Sequence, residues 1–253
     1  RLTKAKRFIY NHNDLEDLQK KLEEAKDFPV KIIATDGVFS MDGDYAILDK
    51  LVELKEKYNA ILMVDDSHAT GFVGKRGRGT PEKFNVIGKV DLITTTFGKA
   101  LGGAMGGCVS GRKELIEWLR QRSRPYLFSN SLSPVITYTT SKVIDLLSST
   151  TELRDKLEKN TIHFRKGMKD EGFDVKEGDH PIVPIMLYDE RIAVSMAEEL
   201  LKEGIYVIGF SYPVVPKGKA RIRVQLSANH TEEQIEKAIS SFKKVAKKLD
   251  VLN

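Results

Sequence analysis

Short apolar runs alternate with helical periodicity along the first half of the chain, and this alternation constrains the fold more than any other feature. VKIIATDG from Val30, AILMVDDSH from Ala60 and DLITTTFG from Asp91 each hold an apolar run that passes into polar residues. Strands buried on both faces read as such continuous runs, whereas half-exposed strands alternate. Between the first two runs, Leu48, Leu51, Val52 and Lys55 recur at helical spacing. Strands separated by helices predict an α/β fold with a mainly parallel sheet covered on both faces. In such sheets ligands bind beyond the carboxyl ends of the strands. Asp65, His68, Thr96 and Lys99 stand at or just past those ends and form one group of candidate site residues.

Downstream, a helix is expected after Gly111, and YLFSNSLSP reads as a short strand followed by a loop. A long helical stretch from about Pro134 to Lys169 leads into a second unit. There IVPIML, YVIGF and ARIRVQL read as strands, with a helix from about Ile192 to Lys202 between the first two. The last helix opens on Thr231 and Gln234 at capping-box spacing and carries an apolar stripe of Ile235, Ile239, Phe242 and Val245. The expected division is residues 1–135, part of a ligand-binding large domain, and 136–253, a connecting helix and small C-terminal α/β domain. No repeat, low-complexity tract or long linker interrupts it.

With 253 residues, 41% of them hydrophobic, the chain can bury the core of one large or two modest domains. A net charge of +5 describes a well-solvated, mildly basic surface, and no nucleic-acid partner is expected. One cysteine, Cys108, precludes an internal disulfide and fits a reducing compartment. Between Gly107 and Val109 it reads as a small packed residue. No apolar run approaches the ~20 residues of a membrane-spanning helix, and no signal-peptide pattern is visible. A cytoplasmic protein without a membrane partner or a bound metal is expected.

The stretch TTTFGKALGGAMGG places Lys99 among small, uncharged residues. It is not a phosphate-binding loop: that motif needs glycine where Ile93 stands, and Ser or Thr where Ala100 stands. A G-x-G-x-x-G between strand and helix is also missing. A lysine in apolar surroundings can lose its proton by desolvation and act as an amine nucleophile. Asp65 at the end of ILMVDD adds a second part. Pyridoxal phosphate (PLP) chemistry requires a carboxylate that keeps the pyridine nitrogen protonated, so that the ring can absorb carbanion electrons. His68, three residues on, is within reach of that ring or its phenolic oxygen.

VDDSHATGFVGKRGRG, TTTFGKALGGAMGG, RQRSRPYLFSNSLSP, DGVFSMDGD and GFSYPVVPKGKARIRVQLSANHT together resemble the α-oxoamine synthases, PLP enzymes of aminotransferase fold type I. The resemblance implies that Lys99 holds PLP covalently, Asp65 partners the pyridine nitrogen and His68 bonds the phenolic oxygen. It also implies that Ser40 contacts the cofactor, Thr96 its phosphate, and Arg223 the substrate carboxylate. Ser129 and Asn130 are implied to reach the phosphate of a partner subunit, making a homodimer with shared sites. Within the family, WLRQRSRPYLFSNSLSP and YPVVPKG point to the branch that condenses glycine with acetyl-CoA to 2-amino-3-oxobutyrate and CoA. The alternatives are the alanine and pimeloyl-CoA branch, which makes 8-amino-7-oxononanoate, or a non-catalytic chain. Lys75, Arg76 and Arg78 are either a solvated loop or a contact for CoA phosphates. Family members carry a further N-terminal portion, which stacks a ring on PLP and supplies donors to its phosphate; the chain is expected to lack it.

Overall fold

The computed structural model describes residues 3–102 and 105–252. The chain divides into two compact units: one holds the residues up to Val38 and Tyr45–Ser149, the other Phe39–Asp44 and the residues from Thr150 onward.

The first unit opens with α1 (Leu15–Glu24), capped by the Asp14 side chain, which accepts from the Asp17 amide at 2.9 Å. Then follow β1 (Ile32–Asp36), α2 (Leu48–Lys57), β2 (Ile61–Asp65), the short α3 (Thr80–Lys83), β3 (Leu92–Thr96) and β4 (Gly107–Gly111). The sheet order is β1-β2-β3-β4, with the first three strands parallel and β4 antiparallel to β3. The parallel part follows from the apolar runs. β4 (GCVSG) has glycine at both ends and one β-branched residue, so its strand character comes from pairing with β3 rather than from propensity.

Cover on both faces, the expectation from the apolar runs, is not found among the described residues. Ile33, Leu62 and Val64 are buried on one side of the sheet, where α2 packs on β2. Ile32 and Ala34 of β1 are exposed on the other, and every residue of β4 is exposed. Cys108 shares that exposure and is not the packed residue its small neighbours suggested.

Three helices complete this unit: α4 (Lys113–Arg122), α5 (Arg124–Phe128) and α6 (Pro134–Ser149). YLFSNSLSP is therefore not a strand at its start. Pro125 lies in the first turn of α5, where its fixed φ suits a helix and its missing N–H costs nothing. The stretch expected as one helix over 134–169 is also broken, because α7 (Glu152–Asp170) starts afresh. Thr150 and Thr151 divert the backbone: the Glu152 amide donates to Thr150 Oγ1 at 3.2 Å, and Thr151 Oγ1 donates to Asp155 at 2.8 Å.

The second unit continues from α7 through β5 (Ile182–Tyr188), α8 (Glu190–Lys202), β6 (Ile208–Phe210), β7 (Ala220–Gln225) and α9 (Glu232–Lys248). Its sheet runs β5-β7-β6, all antiparallel. The capping box at Thr231 and Gln234 is formed in both directions. Phe164, Met168, Val183, Ile185, Met196, Ile222 and Phe242 are buried in one core. The Phe164 and Phe242 rings meet edge to face at 6.3 Å.

Phe39–Asp44 is a loop held in this second unit. Its Asp42 carboxylate accepts from Arg221 and from Lys176, at 2.6 and 2.7 Å. Burial raises the Asp42 carboxyl, but the bonds from Lys176 and Arg221 outweigh it and hold the group below its ordinary range.

Candidate active site

Three parallel strands end side by side in the first unit. Asp65 is the last residue of β2; in register beside it stand Asp36, the last of β1, and Thr94 of β3. Register partners point to the same face of a sheet, so Asp36, Asp65 and Thr94 belong to one edge. The Thr94 hydroxyl donates to Asp65 Oδ2 at 2.7 Å, and the Ser67 amide donates to Asp65 Oδ1 at 3.1 Å. Burial raises the Asp65 carboxyl. The donors from Thr94 and Ser67, helped by the charge of Lys99, overcome that and hold it below the ordinary carboxylate range. Asp36 goes the other way. Loss of water and the negative charge of Asp65 raise it, with Lys99 opposing. Two neighbouring carboxyls are thus pushed apart in proton affinity, a pattern that collects at functional sites.

Lys99 lies in the loop that leaves β3 and returns as β4. The base of the loop is closed where the Phe97 amide donates to the Gly106 carbonyl at 2.9 Å. Lys99 is exposed, as are Gly98 and Ala100 beside it, so the desolvated setting expected from the sequence is not present. The small side chains that admit a flat ring also give the lysine no cover. The Thr96 hydroxyl donates to the Gly106 carbonyl at 3.1 Å and accepts from the Gly98 amide at 3.2 Å. It ties the lysine loop to the end of β3. The Thr96 amide donates to Ser67 Oγ at 3.1 Å, which joins this strand end to the turn after β2. His68 is partly buried in that same turn.

Behind Asp65 lies Asp66, 1% exposed. Its carboxylate accepts from the Thr80 amide and hydroxyl and from Thr70. These bonds fasten the turn that carries His68 to the start of α3. Gly79, at φ +89, is required there, since a Cβ would stand 1.8 Å from Asp66 Oδ2.

Ser129 and Asn130 are exposed just beyond α5. Lys75, Arg76 and Arg78 are exposed on a loop whose amides at Arg76 and Arg78 donate to Glu82. Cys108 lines a shallow cavity with Thr95, Ile116, Leu119 and Tyr126; although the residue is exposed, these neighbours partly cover its thiol and raise its proton affinity. Among the described residues, no group of His, Cys, Asp or Glu is placed to hold a metal ion, and no helix is long and apolar enough to cross a membrane.

Ser40 and Arg223 are both in the second unit. Arg223 Nη1 donates to the Ser40 carbonyl at 3.0 Å, and the guanidinium lies 4.9 Å from the centre of the Phe210 ring. Its Nε is buried without a hydrogen-bond partner. Burial lowers its proton affinity, as it does for any cation losing water. Arg223 lines a cavity of about 640 Å³ with Phe210, Gln225, His230 and Gln234. An orphaned guanidinium N–H at such a cavity is suited to an anion that can accept it.

Asp36, Ser67, Asp66 and Thr94 were not singled out by sequence. Asp36 had a usable signal, because it closes an apolar run just as Asp65 does. Thr94 had none, because only the register of β2 against β3 puts it opposite Asp65.

The profile of the Aminotransferase class I and II family matches residues 1–242. The chain is 54% identical, over its whole length, to the 2-amino-3-ketobutyrate coenzyme A ligase of Escherichia coli K12, of which it covers 64%. It is 49% identical to the 8-amino-7-oxononanoate synthase of Thermosipho melanesiensis, over all of this chain and 64% of that protein. Among solved structures, a serine palmitoyltransferase from S. paucimobilis with bound PLP-myriocin aldimine superposes with a TM-score of 0.91. The two are 33% identical, over 96% of this chain and 61% of that one. The chain therefore spans somewhat less than two thirds of the length of these relatives. Its fold is that of the type I PLP-dependent aminotransferases, and the chain belongs to the aminotransferase class I and II family.

Proposed function

We propose that this chain carries the lysine, the aspartate and the carboxylate-binding arginine of a PLP-dependent acyltransferase. The reaction is glycine plus acetyl-CoA giving 2-amino-3-oxobutyrate and CoA. The observation that carries the reading is the Asp65 carboxylate, held ionised by Thr94 and Ser67 and influenced by the charge of Lys99. A carboxylate kept below its usual range is the group needed against a protonated pyridine nitrogen. The partnerless Nε of Arg223 fits a substrate carboxylate in the same way. The residues present therefore suit the cofactor.

Bound PLP supplies an electron sink for the charge left at the glycine α-carbon. The chain's own residues do the rest. Arg223 fixes the glycine carboxylate through its planar fork. Lys99 Nζ holds the cofactor between turnovers and, once released, removes the α-proton. Asp65 keeps the proton on the ring nitrogen. His68 hydrogen-bonds the phenolic oxygen, and Thr96 and Ser40 contact the cofactor. Ser129 and Asn130 reach the phosphate bound by a partner subunit, which makes the working unit a homodimer. A reducing compartment, the cytoplasm, is the assigned location.

The choice of glycine rests on the likeness to the 2-amino-3-ketobutyrate coenzyme A ligases, whose name carries the product that glycine and an acetyl group would make. The test compares kcat/KM for glycine and alanine, each with acetyl-CoA and with pimeloyl-CoA, in the intact enzyme. Glycine with acetyl-CoA is expected to be the best pair. A clear preference for alanine with pimeloyl-CoA would move the assignment to the oxononanoate-forming branch.

A further inference from the structure

The stretch TTT at residues 94–96 contains three like side chains on one strand, and they do different work. Successive side chains on a strand point to opposite faces. Thr94 and Thr96 therefore share the face of Asp65, and Thr95 does not. Thr95 Oγ1 is buried with no partner. Thr94 Oγ1 donates to Asp65 Oδ2 at 2.7 Å. The second oxygen, Oδ1, takes the Ser67 amide at 3.1 Å, and Ser67 Oγ in turn accepts the Thr96 amide at 3.1 Å.

We infer that Thr94 and Ser67 are positioning residues that hold the Asp65 carboxylate in one orientation and join it to the Thr96 end of β3. The inference rests on the reading of Asp65 as the partner of the ring nitrogen. The terminal torsion of an aspartate is broad, so one donor alone leaves the carboxylate plane loosely set. Two donors, one to each oxygen and from two different elements, define that plane. Each oxygen retains a lone pair for a further donor such as a pyridinium. Thr94 is brought there by strand register, so its distance to Asp65 is set by the sheet and not by a loop.

Asp65 stands between two further carboxyls, Asp36 on β1 and Asp66 on the continuation of β2, and its charge raises the proton affinity of both. Asp65 itself is raised by burial and lowered by Thr94, Ser67 and the charge of Lys99. The neutral donors Thr94 and Ser67 tip this balance towards the carboxylate without adding a competing cation where the cofactor ring has to sit. They leave the loop lysine free for its own task.

The experiment measures two things in the intact protein, for wild type, Thr94→Val, Ser67→Ala and Thr94→Ser. The first is the Asp65 carboxyl titration, followed by NMR in cofactor-free protein. The second is PLP affinity across pH, followed by fluorescence. Thr94→Val keeps the shape and removes the donor. It is expected to raise the Asp65 midpoint, weaken PLP about 10-fold, and move the acid loss of PLP binding to higher pH. Ser67→Ala shifts both in the same direction by less, because the Ser67 amide stays. Thr94→Ser restores both, whereas a role in packing alone would not return with the hydroxyl. An unchanged Asp65 midpoint in Thr94→Val, or no recovery in Thr94→Ser, overturns the clamp. A wild-type protein in which the midpoint behaves as expected but PLP does not bind would instead refute the proposed function and leave the clamp standing.

Discussion

The two units differ in how completely they bury what they own. The second closes a core around Phe164, Met196, Ile222 and Phe242, all within 1% of full burial. The first leaves Trp118 (68% exposed), Phe128, Val135 and Tyr138 of α4, α5 and α6 in water, and one side of β1 uncovered. The strand-end carboxylates and Lys99 belong to the first, while the second contributes Arg223 on a well-packed sheet. The contrast teaches that one chain can close one core fully while leaving another sheet partly uncovered. Arg223 sits on a finished scaffold, whereas Lys99 and Asp65 sit on a sheet with apolar surface still to be covered. Apolar patches of that kind mark surfaces meant for contact.

The sharpest way to test the contrast is to separate chemistry from scaffold. Lys99→Ala is expected to cost at least ~10³-fold in kcat and to abolish borohydride-trappable PLP. Because Lys99 is exposed, its unfolding midpoint should stay close to that of wild type. A variant that binds PLP covalently would break the assignment.

Next in size is the core of the second unit. Phe242→Ala removes a fully buried ring that meets both Phe164 and Phe173, and is expected to cost about 3–5 kcal/mol in chemical denaturation. A loss under about 1 kcal/mol would show that this core is open to water.

Asp42→Ala is expected to cost about 2–3 kcal/mol, below the range for a wholly buried pair because Asp42 keeps some water. It strands Arg221, which is 4% exposed. The pH dependence has a definite sign. The folded-state proton affinity of Asp42 is lowered, so its contribution is present above the unfolded carboxyl value of ~3.9 and is lost as pH falls through the folded one. Removing Asp42 should flatten the acid side of the stability profile. An acid limb unchanged from wild type would show that the bonds of Asp42 to Arg221 and Lys176 do not stabilise the fold.

The smallest effect should come from the open side. Trp118→Ser is expected to change stability by less than ~0.5 kcal/mol. A large loss would mean that α4 is already covered in solution.

Much of this arrangement was legible from local pattern. β1, β2 and β3, the helices between them and the cap of α9 each follow from a few adjacent residues, and so do Lys99 and Asp65 as strand-end groups. What was missed depends on pairings distant in sequence. Thr94 meets Asp65 through register across 29 residues, and Arg223 meets the Ser40 carbonyl across 183. The misread helices have local causes of opposite weight. At Pro125 one residue turned an aromatic run into a helical turn, and at Thr150 and Thr151 two hydroxyls ended a periodicity that the flanking residues would have continued. The exposure of Lys99 escaped because small neighbours look apolar in a sequence yet shield very little.

The loop from Phe39 to Asp44 belongs to the second unit although the residues on either side of it belong to the first. Its base is closed by a bridge between Val38 and Tyr45 of the first unit, and its tip is bonded to Arg221, Arg223 and Lys176 of the second unit, to which the loop itself belongs. The units are therefore interlaced along the chain and are not modules strung end to end. A chimera cut between residues 149 and 150 would import Arg221 and Arg223 from one parent and the backbone they grip from another. Shuffling among relatives succeeds only if that hairpin tip travels with the distant half it serves.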